Sequence, residues 1–347
     1  MKILTAIAVL VGLRGFSMIG QDLPSFREYL CFTAKQELRI DGLLDEKDWK
    51  AAKWSEEFVD IEGRHMPVPT YNTRVKMLWD SEYLYIAAEL EEPHLWATLK
   101  QRDTIIFHDN DFEVFIDPDG DTHQYYEIEV NALGTVWDLM LIKPYRDKGP
   151  AMSAWDVRGL QLGIKLDGTL NDPSDTDKKW TIEMALPWSI LKQNAPGKKL
   201  PVSGDQWRIN FSRVQWDLLI NDSGYRKKRD PVSGKPLPEH NWVWSPQGAI
   251  NMHIPEMWGF IQFSDQNPSN GTQEFIKNPD EEIKWKLRLL YYQLREIWDE
   301  KGKYEEIEVP DSVNLELTDN QYFITWPGTK GWNWHINHEG KVWRSQG

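Results

Sequence analysis

The sequence predicts a mainly β protein: an antiparallel β-sandwich with a C-terminal helix and a small β-meander appended. Three observations predict it. Short runs rich in Val, Ile, Phe, Tyr and Trp recur from about residue 28 to 265, with turn residues between them. Only one long stretch, 279–301, has a helical apolar period. The chain has 347 residues, 27% of them charged and 40% hydrophobic, which suits a folded domain with an appendage rather than a disordered chain.

The expected strands run in order. Val75–Trp79 and Leu84–Leu90 are joined by a turn at Asp80-Ser81-Glu82. Phe112–Ile116, Tyr125–Asn131 and Thr135–Ile142 follow, then Leu160–Leu166, Trp180–Leu186 and Gln206–Trp216. Asn241–Ser245 and Trp258–Phe263 complete the set. A short helical turn is expected at Trp188–Lys192, after Pro187, and residues 218–240, with several Gly, Pro and Asp, read as a long loop. For the later helix, Asn278, Pro279 and Glu281 fit N-cap, N1 and N3. Ile283, Leu287, Leu290, Leu294 and Ile297 form its apolar stripe, and Gly302 is its stop. Strands around Leu315–Leu317, Tyr322–Trp326, Trp332–Ile336 and Val342–Trp343 form the meander, with turns at Asp319-Asn320 and Glu339-Gly340. The expected division is residues 1–20 as a signal peptide, 21–265 as the sandwich and 266–347 as the extension.

Residues 1–20 resemble a secretory signal: Lys2, an apolar run from Ile3 to Leu13, then small residues up to Gly20. The run is too short to span a bilayer, and no later apolar run reaches that length. Losing Lys2 and Arg14 with this segment moves the net charge from −14 to about −16. A secreted or periplasmic bacterial setting is therefore expected, and a lone cysteine, Cys31, allows no intramolecular disulfide. The acidic balance argues against nucleic acid as a partner. Arg226-Lys227-Lys228-Arg229 is too short to be a basic stripe and reads as a loop tip.

Tryptophan is in excess: 19 residues, against 12 Tyr and 12 Phe. Indole rings fill cores, and they also stack on flat, partly apolar ligands such as the C–H face of a sugar. Strand alternation places Tyr125, Glu127, Glu129 and Asn131 on one face, and Asp111, Glu113 and Asp117 on one face of the preceding strand. Paired, the strands bring Glu113 to Glu127 or Glu129. Three readings stay open for that face: solvated surface, a grip on ligand hydroxyls, or a pair of catalytic carboxylates as in glycoside hydrolases. Asp117-Pro-Asp119-Gly-Asp121 places carboxylates at alternate positions around a glycine, like a calcium loop, yet Asp-Gly is also ordinary hairpin chemistry. The eight His residues show no zinc spacing, and neither a nucleophile elbow nor a phosphate loop is present. In the segment 241–259, Trp242 and Trp244 share a face, and Gln247, Asn251 and His253 offer hydrogen bonds; His253 also suits a structural role in holding its loop.

Four segments resemble a family 9 carbohydrate-binding module: Ile40-Asp41-Gly42 through Trp49; Val75 through Ala88; Asn110-Asp-Phe-Glu-Val-Phe-Ile-Asp117; and Trp180 through Pro187-Trp188. They span roughly residues 38–263 in the family's order. The resemblance implies a β-sandwich that binds poly- or oligosaccharide, often alongside polysaccharide-degrading enzymes, with calcium in some members. Members that clamp a sugar end between two Trp rings carry one at the position of Phe107 here; the second falls near Met252 and a binding arginine falls at Glu129. The frame is kept and that clamp is not. Trp137, Trp216, Trp242 and Trp244 become the platform candidates, with Glu113, Glu129, Asn131 and His253 as polar partners and Asp117, Asp119 and Asp121 as calcium ligands. The expected function is non-catalytic carbohydrate binding. The alternatives are a glycoside hydrolase and a protein-binding adhesion or scaffold module.

Overall fold

The computed structural model describes residues 22–222 and 224–347, so the expected signal segment at 1–20 lies outside the described residues. The chain divides into two compact units, Pro24–Asn278 and Pro279–Gly347.

The first unit opens with β1 (Glu28–Thr33), helix α1 (Lys47–Ala51), β2 (Val59–Asp60), β3 (Thr73–Trp79) and β4 (Tyr83–Glu91). Next come β5 (Asp111–Asp117), β6 (Tyr125–Asn131), β7 (Val136–Leu141), β8 (Ala151–Met152), β9 (Gln161–Asp167) and β10 (Lys179–Pro187). Helix α2 (Trp188–Leu191) leads to β11 (Gln206–Gln215), β12 (Leu218–Asn221), β13 (Gly224–Lys227), β14 (His240–Val243) and β15 (Gly259–Ser264). Hydrogen bonding runs without a break through the order β8-β7-β6-β5-β11-β15-β1-β3-β4-β10-β9, with β14 joined to β11 and β2.

This one sheet curls so that its two ends face each other across a shared core. Phe112, Val114 and Ile116 of β5 and Tyr126, Ile128 and Val130 of β6 belong to the same buried cluster as Val75, Ile86, Ile182 and Met184 from β3, β4 and β10. These are the inward positions that alternation assigns, so the sandwich is built as the pattern requires. The ladders are mostly antiparallel, but β1 runs parallel to both β15 and β3, which makes the sheet mixed. The N-terminal strand fills the seam where the sheet curls, a pairing between residues more than 200 positions apart that no local pattern carries. Within the expected loop 218–240, β12 and β13 form a hairpin, with Leu218 opposite Lys227. Leu218, Leu219 and Ile220 of β12 follow one another without alternation, Leu219 and Ile220 are exposed, and β13 is Gly-Tyr-Arg-Lys, so no period of two marks the hairpin.

Behind β3, β4 and β10 lies a second cluster around Trp49, Leu78, Tyr85 and Ala185. Glu183 anchors it. Its Oε1 accepts the Trp49 indole N–H at 2.7 Å, and its Oε2 accepts the backbone N–H groups of Gly42 and Asp41 at 3.1 and 3.2 Å. Two of the segments that carry the family resemblance thus meet at one buried carboxylate. Gly42 has φ +81° and lies against the β9 backbone, where a Cβ would sit 2.7 Å from Lys165 N.

The first unit runs to Asn278, beyond the expected boundary at 265. Gln262 and Gln206 bind the backbone of Glu274 and Ile276, which fastens the segment after β15 to the sheet.

The second unit has its own core. Helix α3 (Glu281–Lys301) packs Leu287, Leu290 and Leu294 on Tyr322, Ile324 and Ile336 of an antiparallel sheet β16 (Asn314–Leu317), β17 (Tyr322–Pro327), β18 (Trp332–Asn337) and β19 (Val342–Gln346). This is the expected helix and meander, and Gly302 takes the left-handed C-cap. The N-terminus differs from the expected Asn278 cap: Asp280 is the cap, and makes no side-chain capping bond. Its carboxylate accepts the Trp334 indole N–H and the Thr329 N–H, both at 2.9 Å, because tertiary donors compete for the oxygens that would have capped the helix.

Candidate functional site

On the outer face of β5, β6, β7 and β11, four side chains lie abreast on neighbouring strands: Ser212, Glu113, Glu129 and Trp137. The next row holds Phe115, Glu127 and Leu139, and the row on the other side holds Val214, Asp111 and Asn131. The polar face predicted from alternation is therefore one surface, with Glu113 directly opposite Glu129.

Loops raise walls around it and leave a cleft of about 350 Å³. Phe107 stands on one side, and its backbone N–H donates to Glu129 Oε2 at 3.0 Å. Met252 and His253 stand on another, with Asn251, Ile250 and Asn241 beside them. Tyr145, from the turn after β7, packs its ring edge-on against His253 at 4.4 Å, and the Tyr125 hydroxyl lies 3.0 Å from His253 Nδ1. The volume is at the small end of the roughly 300–1,000 Å³ typical of ligand pockets. Carboxylates form the floor and aromatic and apolar side chains the walls.

The electrostatics of the floor are unusual. Burial pushes the Glu113 carboxyl up to about 7. Burial, then the neighbouring Glu113, holds Glu127 and Glu129 well above the usual carboxylate range, and Asp111 behaves the same way. His253 goes the other way: burial and the nearby Arg146 lower it to about 3, so it is neutral.

Of the expected site residues, Phe107, Glu113, Glu129, Trp137, Met252 and His253 all line this cleft. Four others do not. Trp244 is fully buried between the layers, against Phe211, and its ring leaves room only for a glycine at 259. Trp242 is buried at the edge of the core, beside Tyr71. Neither can serve as a platform in the cleft. Trp216 packs outside it and positions Phe107 by donating its indole N–H to the Phe107 carbonyl at 2.9 Å. Together Trp216 and Trp242 line a separate depression of about 220 Å³ with Tyr71, His94 and His240. Asn131 has no capacity left for a ligand: its amide donates to Leu99 O and Asp109 Oδ2, and its oxygen accepts from the Leu133 and Thr135 N–H groups. Its role is to hold the turn after β6.

Sequence reasoning missed Tyr145, Phe115 and Ile61 as cleft residues. Phe115 had a usable signal, because it shares its face with Glu113. Tyr145 and Ile61 lie in connections, where no periodicity marks them.

Asp117, Asp119 and Asp121 come together at the end of β5, each offering one oxygen within 4.8 Å of the others. Burial, then Asp119 and Asp121, raises the Asp117 carboxyl well above its ordinary range. Gly120 takes φ +67° at the turn, as a tight oxygen-donor loop requires. Asp117 also accepts the N–H groups of Gly120 and Thr122, so the loop keeps its shape through its own backbone. An all-oxygen set of this kind fits a hard cation such as calcium.

The profile described as "Carbohydrate family 9 binding domain-like" matches residues 40–231. The chain belongs to this family. Among solved structures, it is similar to a putative carbohydrate-binding protein from Bacteroides uniformis, at 16% identity and a TM-score of 0.50 over 69% of this chain and all of that one. It also resembles a family 9 carbohydrate-binding module from Caldicellulosiruptor kristjanssonii solved with cellotriose, at 16% identity and a TM-score of 0.43 over 73% of this chain and all of that one. The same organism's module in complex with glucose matches at 16% identity and 0.43 over 70% of this chain and all of that one. No curated protein matches the chain significantly. No helix among the described residues is long and apolar enough to cross a membrane.

Proposed function

We propose that this protein binds carbohydrate without cleaving it, in the cleft between Phe107, Trp137, Tyr145 and His253. The observation that carries this reading is a ligand-sized cleft with an aromatic rim and a carboxylate floor, on a chain of the family 9 fold. Sugar C–H faces pack on Trp137, Tyr145 and Phe107, while hydroxyls donate to Glu113, Glu127 and Glu129. The family's ligands support the sugar class, since homologous modules are solved with cellotriose and glucose. The proposal extends to a secreted or periplasmic protein serving polysaccharide breakdown beside degradative enzymes, and to calcium at Asp117, Asp119 and Asp121.

The test is a binding screen of the chain from residue 21 onward against polysaccharides and oligosaccharides, with and without calcium, assayed at the same time for released sugar. Saturable binding without release, weakened by Trp137→Ala and by Glu113→Ala, is the expected result. Binding unchanged in both variants would move the site elsewhere, and released sugar would make the protein a hydrolase.

A further inference from the structure

The cleft floor has more negative groups than sugar recognition needs. Asp111, Glu113 and Glu129 each direct one oxygen to within 4.8 Å of the other two. A calcium ion holds its oxygens at 2.3–2.6 Å, so two ligands of one ion lie at most about 5 Å apart. Independently of that spacing, Asp111 is wholly buried and its Oδ2 has no hydrogen-bond partner. Its Oδ1 takes the Val214 N–H at 3.3 Å, which leaves Oδ2 as a desolvated acceptor within a carboxylate cluster. An unmet buried oxygen of this kind calls for a positive or donating partner.

The described residues supply no such charge. Among the described residues no Lys or Arg pairs with Asp111, Glu113, Glu127 or Glu129. Arg213, on the neighbouring strand, points to the other face, where it pairs with Glu92 at 3.1 Å. Arg146, near His253, pairs with Glu256 at 2.9 Å. His253 is neutral. Carboxylates buried side by side repel one another unless protonated or bridged by a cation.

We propose that a calcium-class divalent cation seats among Asp111, Glu113 and Glu129 at the floor of the cleft, and offers its remaining coordination positions to vicinal hydroxyls of the ligand. The ligand half of this statement rests on the carbohydrate reading above; the cation half does not. The donors are all oxygen, with no Cys or His among them, which favours a hard ion over zinc or copper. Three carboxylates leave a six- to eight-coordinate ion incomplete. Glu113 and Glu129 line the cleft, so the open positions face the space where a ligand enters. The site is distinct from the Asp117–Asp121 loop: Asp117 lies four residues along β5 from Glu113, roughly 13 Å at strand spacing.

The test begins with the metal alone. Calcium chloride is titrated by calorimetry into chelator-stripped full chain carrying Asp119→Asn and Asp121→Asn, which silences the loop. A saturable heat is expected, with a rise in Tm on adding calcium. Adding Glu129→Gln to this background is expected to weaken calcium binding roughly ten-fold or more. It should also raise the Tm of the metal-free protein, because it removes one buried carboxyl crowded against two others, and that rise shows the variant is folded. Glu113→Gln serves as the second variant, with the same expected loss. Absence of saturable heat in the loop-silenced protein, or heat that both variants leave unchanged, would overturn the cation site. The second step is oligosaccharide binding by the loop-silenced full chain with calcium and with EDTA. Loss of binding in EDTA supports coordination of the ligand through the ion; binding that survives EDTA overturns it. Calcium binding at the floor with no sugar response under any condition would support the metal centre and overturn the carbohydrate reading.

Discussion

Single residues set the chemistry of the cleft through what surrounds them. His253 is held neutral down to about 3, against an ordinary 6.5, by burial and by the charge of Arg146. Below about 6.5 the unfolded chain takes up a proton that the folded chain refuses until about 3, so this contribution to stability is full above that window and is lost as pH falls through it. Urea unfolding at pH 7 and pH 4.5 should therefore show a smaller stability difference for His253→Gln than for the parent protein. An equal difference in both would mean that the imidazole is protonated in the fold. Trp137 is half-buried beside Glu129, a position that leaves one part of its ring to the cleft. Trp137→Ala should weaken ligand binding by about ten-fold or more while Tm stays close to the parent value, and Trp244→Ala should do the opposite. Comparing the two by calorimetry and thermal melts separates a ligand-facing indole from a core one. The sequence could not make this distinction, since both are Trp residues within strand patterns and only packing assigns them to cleft or core.

At the scale of elements, the back of the β3-β4-β10 layer depends on close backbone approach. Gly163 in β9 has room for no side chain: a Cβ there would sit 2.6 Å from Gly42 N and 2.7 Å from the Asp41 carbonyl carbon. Gly163→Ala should cost about 1–3 kcal/mol, read as a lower urea midpoint at unchanged m-value. Glu183→Ala strands two buried N–H donors, those of Trp49 and Gly42, leaves the Asp41 N–H only its bond to the Arg39 carbonyl, and should cost about 2 kcal/mol or more. If Glu183→Ala leaves the midpoint unchanged, that carboxylate does not organise the layer. These contacts join two of the distant segments that carry the family resemblance, 40–49 and 180–188, in one hydrogen-bonded junction. The strands themselves were legible, because inward Val, Ile, Phe and Trp alternate with outward polar residues in β5, β6 and β10. Strand β1 was not, since its pairing with β15 and β3 is set by closure of the sheet. The hairpin of β12 and β13 was hidden because its consecutive Leu218, Leu219 and Ile220 show no alternation.

For the whole molecule, each compact unit has its own apolar core, one centred on the two sheet layers and one on α3 and its meander. Residues 24–278 expressed alone should unfold in one cooperative transition and retain the ligand affinity of the longer chain, because every cleft-lining residue lies within that span. A truncated protein that aggregates or loses binding would show that the C-terminal unit is needed for the first. The boundary belongs at 278 because glutamine side chains on β11 and β15 bind the chain beyond residue 265. That tie joins side chains to distant backbone and leaves no local trace in composition.

The sequence by itself determined the β-sandwich class, the strand faces, the helix with its meander, the family, and the meeting of Glu113 with Glu129. Each follows from a periodicity or a motif that short-range sterics and apolar burial impose on the chain. Only the tertiary structure decided which aromatic residues are free to meet a ligand. It placed Trp137 and Tyr145 at the cleft, put Trp242 and Trp244 into the packed interior, and gave Asn131 wholly to its turn. It also decided that the carboxylates are buried together rather than spread over a solvated face. Burial and partnership depend on loops and layers that converge from distant parts of the chain, and a one-dimensional pattern does not record that convergence.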